Sequence, residues 1–377
     1  MGARILILGA GFGGLELSSR LSDALGDEAN VTIIDKSDSF AFGFSKLDVM
    51  FGRTTLDAVR LPYAEFIKPG VRLRREVITS IDPVARRVTT DGGAYDADIL
   101  VVALGSDYDF DATPGLADST EFYTFAGAVR MAGLLPEFKK GNALIGICGA
   151  PYKCPPAPSE AALLLHDYLS KRGIRNACEI TIVSPLEKPI PPSPDASRAL
   201  LEAFDKRKIA FIADREISSL DTRSGIARLD DGEEVPYDLF LGVPKQRAPK
   251  VVEDAGMTVD GYVPVNFRTL ETKFPSVYAI GDCATQGTPK AGVFSEGAAR
   301  VVASELIAAV RGGQPAQHAG TGSCYIEFGE GRIGRVDIDF LSQPKPTGTY
   351  QAPSVALRAE KDQFGSSRRA RWFGRDS

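Results

Sequence analysis

Histidine is scarce in this chain, and its thiols are scattered. Only two of the 377 residues are histidines, His166 and His318, which excludes a histidine-rich metal site. None of the five cysteines belongs to a CxxC pair, so neither a zinc-ribbon nor a thioredoxin-type motif is present. We therefore expect no metal site, and any thiol chemistry must use cysteines that lie far apart in the sequence.

Long apolar stretches are missing as well. No apolar run approaches the ~20 residues that a helix needs to cross a bilayer. The first apolar run, Ile5 to Leu8, is much shorter than the core of a signal peptide. These absences predict a cytoplasmic protein.

An excess of positive charge is also absent. Lysine and arginine total 44 against 49 acidic residues, a net charge of −5, which argues against nucleic acid as a partner. The charge is uneven, because the stretch from Arg358 to Ser377 is basic. The length and the 44% of hydrophobic residues predict at least two globular domains.

A nucleotide-binding pattern opens the chain. The buried strand from Ile5 to Leu8 leads into Gly9-Ala-Gly11-Phe-Gly-Gly14, then a helix, then a strand that ends in Asp35. Glycines let the backbone approach a pyrophosphate, and an acid at this spacing accepts hydrogen bonds from a ribose. The pattern predicts a dinucleotide-binding domain; the alternative is a glycine-rich turn in an unrelated α/β domain.

A second unit repeats the first. The segment from Val77 to Asp82 returns 139 residues later as Glu216 to Asp221. In both places an Asp-Gly hairpin and a buried strand follow it. In the repeat the glycine loop is replaced by Cys148-Gly-Ala-Pro-Tyr-Lys-Cys154-Pro-Pro, and Ser184 stands where the first unit has Asp35. Prolines remove the N–H donors that a pyrophosphate needs. The second domain is thus predicted to keep the fold and to have lost the nucleotide.

These features resemble the FAD-dependent pyridine nucleotide-disulfide oxidoreductases. Within that superfamily the chain is most similar to sulfide:quinone oxidoreductases and to the flavoprotein subunit of flavocytochrome c sulfide dehydrogenase. The motifs that carry the resemblance are the glycine loop with Asp35, the Ala-Leu-Gly105 segment, Gly281-Asp282, Pro289-Lys290 and the pair Cys154 and Cys324.

The resemblance implies an α/β fold and a domain plan. Two Rossmann-like, three-layer domains with β-meander insertions are expected, followed by a small C-terminal domain. The FAD-binding domain would comprise 1–108 and 245–318, the second Rossmann-like domain 109–244, and a C-terminal redox and interface region with a basic tail 319–377.

The resemblance also implies the cofactor and its ligands. FAD is expected, held non-covalently because no cysteine precedes Cys148. Lys290 is expected near the pyrimidine end of the flavin, although an ordinary solvated lysine is the alternative. The expected FAD-binding residues are Gly9, Gly11, Gly14, Asp35, Gly105, Gly281, Asp282 and Lys290.

The implied activity is oxidation of sulfide, or of a related sulfane or thiol donor, through Cys154 and Cys324. Sulfide would attack a bridge between the two cysteines, and the electrons would pass through FAD to a quinone. Two inert buried thiols are the alternative at these positions. An NAD(P)H-dependent FAD reductase and a low-turnover flavin redox sensor are alternative functions, and the oligomeric state stays open.

The basic tail carries a further hypothesis. Cationic and aromatic residues alternate there, a composition typical of weak contact with anionic membrane surfaces. The protein would then be peripheral on the inner face of the membrane; the alternative is a solvated tail that packs on its own domain or on a partner subunit. The residues concerned are Lys361, Phe364, Arg368, Arg369, Arg371, Trp372, Phe373 and Arg375.

Overall fold

The computed structural model describes residues 2–375, and Met1 and the last two residues of the predicted tail lie outside it. Within that range the chain forms 24 β-strands and nine α-helices. The strands are β1 Ile5–Leu8, β2 Val31–Asp35, β3 Ser39–Phe40, β4 Leu61–Pro62, β5 Val71–Arg75, β6 Ile78–Asp82, β7 Arg87–Thr90, β8 Gly93–Asp96, β9 Ile99–Val102, β10 Asp107–Asp109, β11 Gly141–Ile147, β12 Cys178–Val183, β13 Ile209–Ile212, β14 Ile217–Asp221, β15 Ile226–Leu229, β16 Glu234–Pro236, β17 Leu239–Val243, β18 Lys245–Arg247, β19 Val263–Pro264, β20 Val277–Ala279, β21 Ala284–Thr285, β22 Thr321–Glu327, β23 Ile333–Asp339 and β24 Thr347–Ser354. The helices are α1 Phe12–Leu25, α2 Ser45–Met50, α3 Leu56–Val59, α4 Phe125–Leu134, α5 Ala157–Lys171, α6 Pro194–Lys206, α7 Lys250–Asp254, α8 Gly292–Arg311 and α9 Leu357–Phe373.

The first sheet is parallel, with strand order β20-β9-β1-β2-β5. Every side chain of β1 is buried, as expected for a strand covered on both faces. Helices α1 and α8 pack together on this sheet. Gly14 makes the close packing of α1 possible, because a Cβ there would lie 2.0 Å from the carbonyl oxygen of Gly9.

The second sheet, β13-β12-β11-β17, is parallel too and repeats the first domain's plan. Each domain adds a three-stranded antiparallel meander, β6-β7-β8 in the first and β14-β15-β16 in the second. The two meanders share a detail, since the register shifts between Ile78 and Ser80 in one and between Ile217 and Ser219 in the other. The predicted α/β fold class with two Rossmann-type domains is confirmed.

The chain crosses between the two sheets at β10 and β18, which pair as an antiparallel ribbon. The domain boundaries at 108 and 245 fall beside this ribbon and stay a prediction. The antiparallel sheet β22-β23-β24 follows α8, and α9 follows that sheet. None of the helices in residues 2–375 has the length and apolar character needed to cross a bilayer.

Helix α9 packs back onto the first domain through an aromatic cluster. Trp372 is only 1% exposed, and its ring centroid lies 5.8 Å from that of Phe12 and 5.5 Å from that of Phe40. Its Nε1–H donates to the buried carboxylate of Glu16 at 3.0 Å. One side chain thus supplies both apolar burial and a partner for a buried charge.

Four of the basic residues of the tail form ion pairs within the protein. Arg368 donates to both carboxylate oxygens of Glu296, at 2.6 and 2.8 Å, and Arg371 donates to Glu16 at 3.0 Å. Two further ion pairs are Lys361 with Glu327 and Arg375 with Glu65. The predicted contact with anionic membranes stays a prediction, although these four cations have acidic partners and the tail helix packs on the first domain.

Trp372→Ala should lower the free energy of unfolding by about 3–5 kcal/mol, because it empties a buried ring site and removes a hydrogen bond from Glu16. Urea unfolding followed by far-UV circular dichroism measures the change. Val355→Ala is the control, since Val355 precedes the same helix and is 67% exposed, so its change should stay within about 0.5 kcal/mol. Equal effects of the two substitutions would contradict the packing described.

Candidate active site

A cavity of about 870 Å³ lies where the two Rossmann-type domains and the C-terminal sheet meet. All the site residues predicted from the sequence line it except Gly14, whose role is the packing of α1. Those that line it are Gly9, Gly11, Asp35, Gly105, Cys154, Gly281, Asp282, Lys290 and Cys324. The fold therefore brings together residues from all three parts of the chain.

The glycine loop forms one end of the cavity. Gly9 has a φ of +100°, and a Cβ there would lie 2.5 Å from the carbonyl oxygen of Ala103. A Cβ on Gly11 would meet no atom within 4 Å, so its backbone faces open space at the first turn of α1. Helix N-termini present free N–H groups to anions. This end fits the pyrophosphate of FAD.

Asp35 is held in place beside the glycine loop. Its carboxylate accepts the Ala10 N–H at 2.7 Å and the Ser37 N–H at 2.8 Å. Both bonds fix a carboxylate that lines the cavity, at the place where a ribose would follow the pyrophosphate.

Asp282 carries the negative charge at the centre of the cavity. Burial raises the pKa of its carboxyl group, while the nearby ammonium groups of Lys153, Lys290 and Lys46 lower it. Helix α8 begins nearby at Gly292 and has no side-chain cap, so its first amides open onto the same space. Free amides and a carboxylate suit the polar atoms of a flavin and its ribityl chain.

Lys290 is a buried residue and not a solvated surface lysine. Only 6% of it is exposed, its Nζ donates to the Ala284 carbonyl at 2.6 Å, and it lies 3.9 Å from the centre of the Tyr262 ring. Its own carbonyl accepts the Cys154 N–H at 2.7 Å. Lys290 thus joins the first domain to the cysteine loop of the second.

Cys154 and Cys324 line the same cavity, although they stand 170 positions apart in the sequence. Cys154 has a φ of +51°, a left-handed conformation that is uncommon for a residue with a side chain and that clusters at functional sites. Cys324 lies in the middle of β22, opposite Val336. Both are free thiols here, and burial raises the pKa of each, that of Cys324 to about 12.

Glu160 is a site residue that the sequence argument missed. It lies in the first turn of α5, just after Cys154, and its Oε1 accepts the Glu327 N–H at 2.9 Å. Burial raises the pKa of its carboxyl group to about 7, and its charge acts on both Cys154 and Cys324. The sequence did contain a signal for Glu160, namely an acidic residue six positions after a candidate redox cysteine.

The second domain's own nucleotide position is occupied by protein. Tyr152, from the loop that replaces the glycines, is buried, and its hydroxyl donates to the Pro155 carbonyl at 3.5 Å, while the nearby Ser184 side chain lowers the pKa of that hydroxyl against the effect of burial. Ser184 stands where the first domain has its ribose-binding Asp35. The side chain of Tyr152 therefore lies where a second nucleotide would need room.

Comparison with known proteins agrees with this geometry. The profile of the family described as pyridine nucleotide-disulphide oxidoreductase matches residues 3–299. The mitochondrial sulfide:quinone oxidoreductase of Mus musculus is 25% identical over 91% of this chain and 79% of its own, and the sulfide-quinone reductase of Aquifex aeolicus is 27% identical over 88% and 82%.

Solved structures show the same fold. The sulfide:quinone oxidoreductase from Aquifex aeolicus superposes with a TM-score of 0.87 at 22% identity, covering 98% of this chain and 92% of that one. NDH2 from Plasmodium falciparum gives a TM-score of 0.76 at 12% identity, covering 99% and 97%.

The family predicted from the motifs is confirmed, and so is FAD as its cofactor. The profile spans most of the chain, and the cavity it covers has a glycine loop, a placed acid and helix N-termini that suit FAD. The chain therefore belongs to the pyridine nucleotide-disulphide oxidoreductase family and is an FAD-dependent oxidoreductase.

Proposed function

We propose that this chain oxidises sulfide, or a related sulfane or thiol donor, at Cys154 and Cys324 and that the electrons pass through FAD to a quinone. The observation that carries the proposal is the shared cavity, in which both cysteines lie beside the glycine loop and Asp282. Two relatives that match most of this chain are named for sulfide and quinone, which supports the same assignment.

The thiol chemistry starts from a disulfide between the two cysteines. A hydrosulfide ion attacks the sulfur of Cys154 and forms a persulfide there, while the S–S bond breaks and leaves Cys324 as a thiolate. Loss of two electrons then joins the outer persulfide sulfur to Cys324 and releases its proton. Bound FAD supplies the two-electron acceptor. One sulfur atom is thereby oxidised and kept between the cysteines.

Glu160 accepts the proton that this oxidation releases. Its carboxyl group acts electrostatically on both cysteines, and burial brings its pKa to about 7. A base with a pKa near the working pH is partly ionised and can take up and return a proton. Burial and the charge of Glu160 both raise the pKa values of the two thiols, so proton uptake by Glu160 removes one of the two effects that oppose a sulfur anion.

An aromatic wall beside Cys324 suits the quinone. The ring of Phe364 lies with its centre 6.2 Å from that of Phe44 and 6.4 Å from that of Tyr325, and all three line the cavity. Aromatic side chains hold planar rings by stacking and edge contacts. Phe364 belongs to α9, so the tail helix takes part in the acceptor side of the cavity.

Oxidation of NADH is the second candidate function. A type II NADH:quinone oxidoreductase from Staphylococcus saprophyticus is 32% identical, although over only 30% of this chain. The proline-rich loop and the contact between Tyr152 and Ser184 oppose this candidate, because they take away the donors and the room that a nicotinamide nucleotide requires. The low-turnover redox sensor stays a hypothesis, which steady-state turnover would exclude.

Cys154→Ser and Cys324→Ser should each abolish reduction of the bound FAD by sulfide, slowing it by about three orders of magnitude or more, because the bridge cannot form. Both variants should still bind FAD, since neither residue belongs to the glycine loop. Anaerobic bleaching of the flavin by sodium sulfide measures the loss. Cys148→Ser is the control, a buried thiol outside the cavity lining that should leave bleaching intact. Rapid bleaching in either cavity variant would refute the mechanism.

NADH and NADPH should reduce the flavin about tenfold or more slowly than sulfide does, because the second domain lacks the glycine loop and ribose acid of a nucleotide site. Stopped-flow traces with each reductant, at equal sub-millimolar concentration, give the comparison. Faster bleaching by either nicotinamide would make NAD(P)H oxidation the better assignment.

Glu160→Gln should lose activity and gain stability at high pH. The amide still accepts the Glu327 N–H, but it takes up no proton, so reduction of the flavin by sulfide should slow by about 10²-fold. Folding raises the pKa of the Glu160 carboxyl group. Its protonated form therefore contributes fully to the free energy of unfolding below the pKa of the unfolded chain, and this contribution is lost as the pH rises through about 7. Near pH 9 the variant should therefore exceed the wild type in free energy of unfolding by about 3 kcal/mol.

Urea unfolding at several pH values tests the second half of this expectation. The gain should vanish at acidic pH, where the wild-type carboxyl is protonated. Glu253→Gln removes an exposed carboxylate and should show neither effect. A Glu160→Gln variant with wild-type sulfide kinetics would remove Glu160 from the mechanism.

A further inference from the structure

Lys46 is a cavity lysine that the proposed mechanism leaves unused. It lies in α2 of the first domain, is half-buried, and lines the cavity together with Cys154. Its ammonium group lies 5.5 Å from the centre of the Phe125 ring. Within residues 2–375 this ammonium group makes no ion pair and donates no hydrogen bond, although the backbone N–H of Lys46 donates to the Gly43 carbonyl.

The other two lysines near Asp282 differ from Lys46 in this respect. Lys153 donates to the Ser106 carbonyl at 2.8 Å, and Lys290 donates to the Ala284 carbonyl. Among these three lysines, in the part of the chain that the structure describes, Lys46 alone has an unpaired ammonium group. Removing an ammonium group from water even in part is unfavourable without a partner, so the place of this half-buried lysine on a cavity wall points to an anionic ligand.

The charges that act on Lys46 come from three other segments of the chain, around Glu121, Lys153–Cys154 and Asp282. The pKa of its ammonium group is lowered to about 8, chiefly by burial and also by the like charge of Lys153. Glu121, Cys154 and Asp282 raise it. The influence is mutual, since Lys46 lowers the pKa of the Cys154 thiol against the effect of burial.

The nearest carboxylates already have other partners. Glu121 accepts the backbone N–H groups of Tyr123 and Thr124, the latter at 2.8 Å, together with the Thr124 hydroxyl. Asp282 is shared among three ammonium groups. At neutral pH Lys46 is therefore a cation with spare hydrogen-bonding capacity next to Cys154.

We propose that Lys46 is the anion-binding residue of the sulfur site, where its ammonium group holds a hydrosulfide anion beside the sulfur of Cys154. The inference rests on the proposed function and names the form of the donor that the site selects, a small monovalent sulfur anion. No bond forms or breaks at Lys46, which acts as a positioning residue for the attack on Cys154. The same charge stabilises the Cys154 sulfur whenever it is anionic.

Lys46→Met keeps the length of the side chain and removes its charge. The concentration of sodium sulfide that half-saturates flavin reduction at neutral pH should rise by about 10- to 100-fold, with the limiting rate changed by less than about threefold, because a charge-assisted contact to the substrate is lost. Lys46→Arg should restore most of the affinity. Lys250→Met is the matched control, a cavity-rim lysine that is exposed and already paired with Asp254.

A second measurement does not depend on turnover. In a Cys324→Ser background, alkylation of Cys154 by iodoacetamide is followed against pH by mass spectrometry. The midpoint pH for Cys154 should move upward in Lys46→Met and stay in place in Lys46→Arg and Lys250→Met. Retained flavin absorbance and circular dichroism show that each variant is folded.

The outcomes separate the two proposals. A wild type that sulfide fails to bleach would refute the proposed function, and the anion site with it. A wild type that bleaches, together with Lys46→Met of unchanged half-saturation and unchanged Cys154 midpoint, would refute the role of Lys46 alone. Weaker sulfide saturation with a raised Cys154 midpoint, both reversed by arginine, supports it.

Discussion

One backbone hydrogen bond links the two Rossmann-type domains at the cavity. The Cys154 N–H donates to the Lys290 carbonyl at 2.7 Å, across the gap between the second domain's cysteine loop and the first domain's Gly281-Asp282 segment. Cys154 has a left-handed backbone, which costs energy and persists only where surrounding contacts determine it. This bond and the start of α5 supply those contacts. The sulfur that we propose as reactive is thus positioned by the domain that holds the cofactor, and displacement by about 1 Å is enough to impair such chemistry.

The two Rossmann-type domains have the same fold but different loops. Both domains have a parallel sheet and a meander with a bulge at the same place. They can share this fold because a buried sheet needs only apolar side chains and suitable turns. The loops at the carboxyl ends of the strands are free to differ, and it is there that sites are built. In the first domain that loop is glycine-rich and opens the backbone to an anion. In the second it is proline-rich, sets Tyr152 against Ser184, and carries Cys154 to the neighbouring domain's cavity.

The parts predictable from the sequence are those with local signatures. Buried strands, the repeat and the spacing of Asp35 after the glycine loop each depend on neighbours in the chain, so they were visible without a structure. Cys154 and Cys324 required the family resemblance, since 170 positions separate them.

What escaped prediction depends on long-range packing. Glu160 and Lys46 are ordinary residue types whose unusual pKa values arise from burial and from charges on other elements. The ion pairs of the tail could not be predicted for the same reason. Its cations look free in the sequence, but their acidic partners lie elsewhere in the chain, as with Arg371 and Glu16.

The packing of α9 sets an order of events during synthesis. Lys361 and Phe364 form part of the cavity wall, and Arg371 meets a partner that left the ribosome 355 residues earlier. Domains usually begin to fold as they emerge, so the glycine loop can be ready long before this wall arrives. A nascent chain stalled ahead of α9 would hold its nucleotide pocket open on one side, with Glu16 lacking Arg371 and Glu296 lacking Arg368. We therefore expect tight binding of the cofactor only after translation has passed this helix. The packing of α9 would then be a late requirement for a complete enzyme.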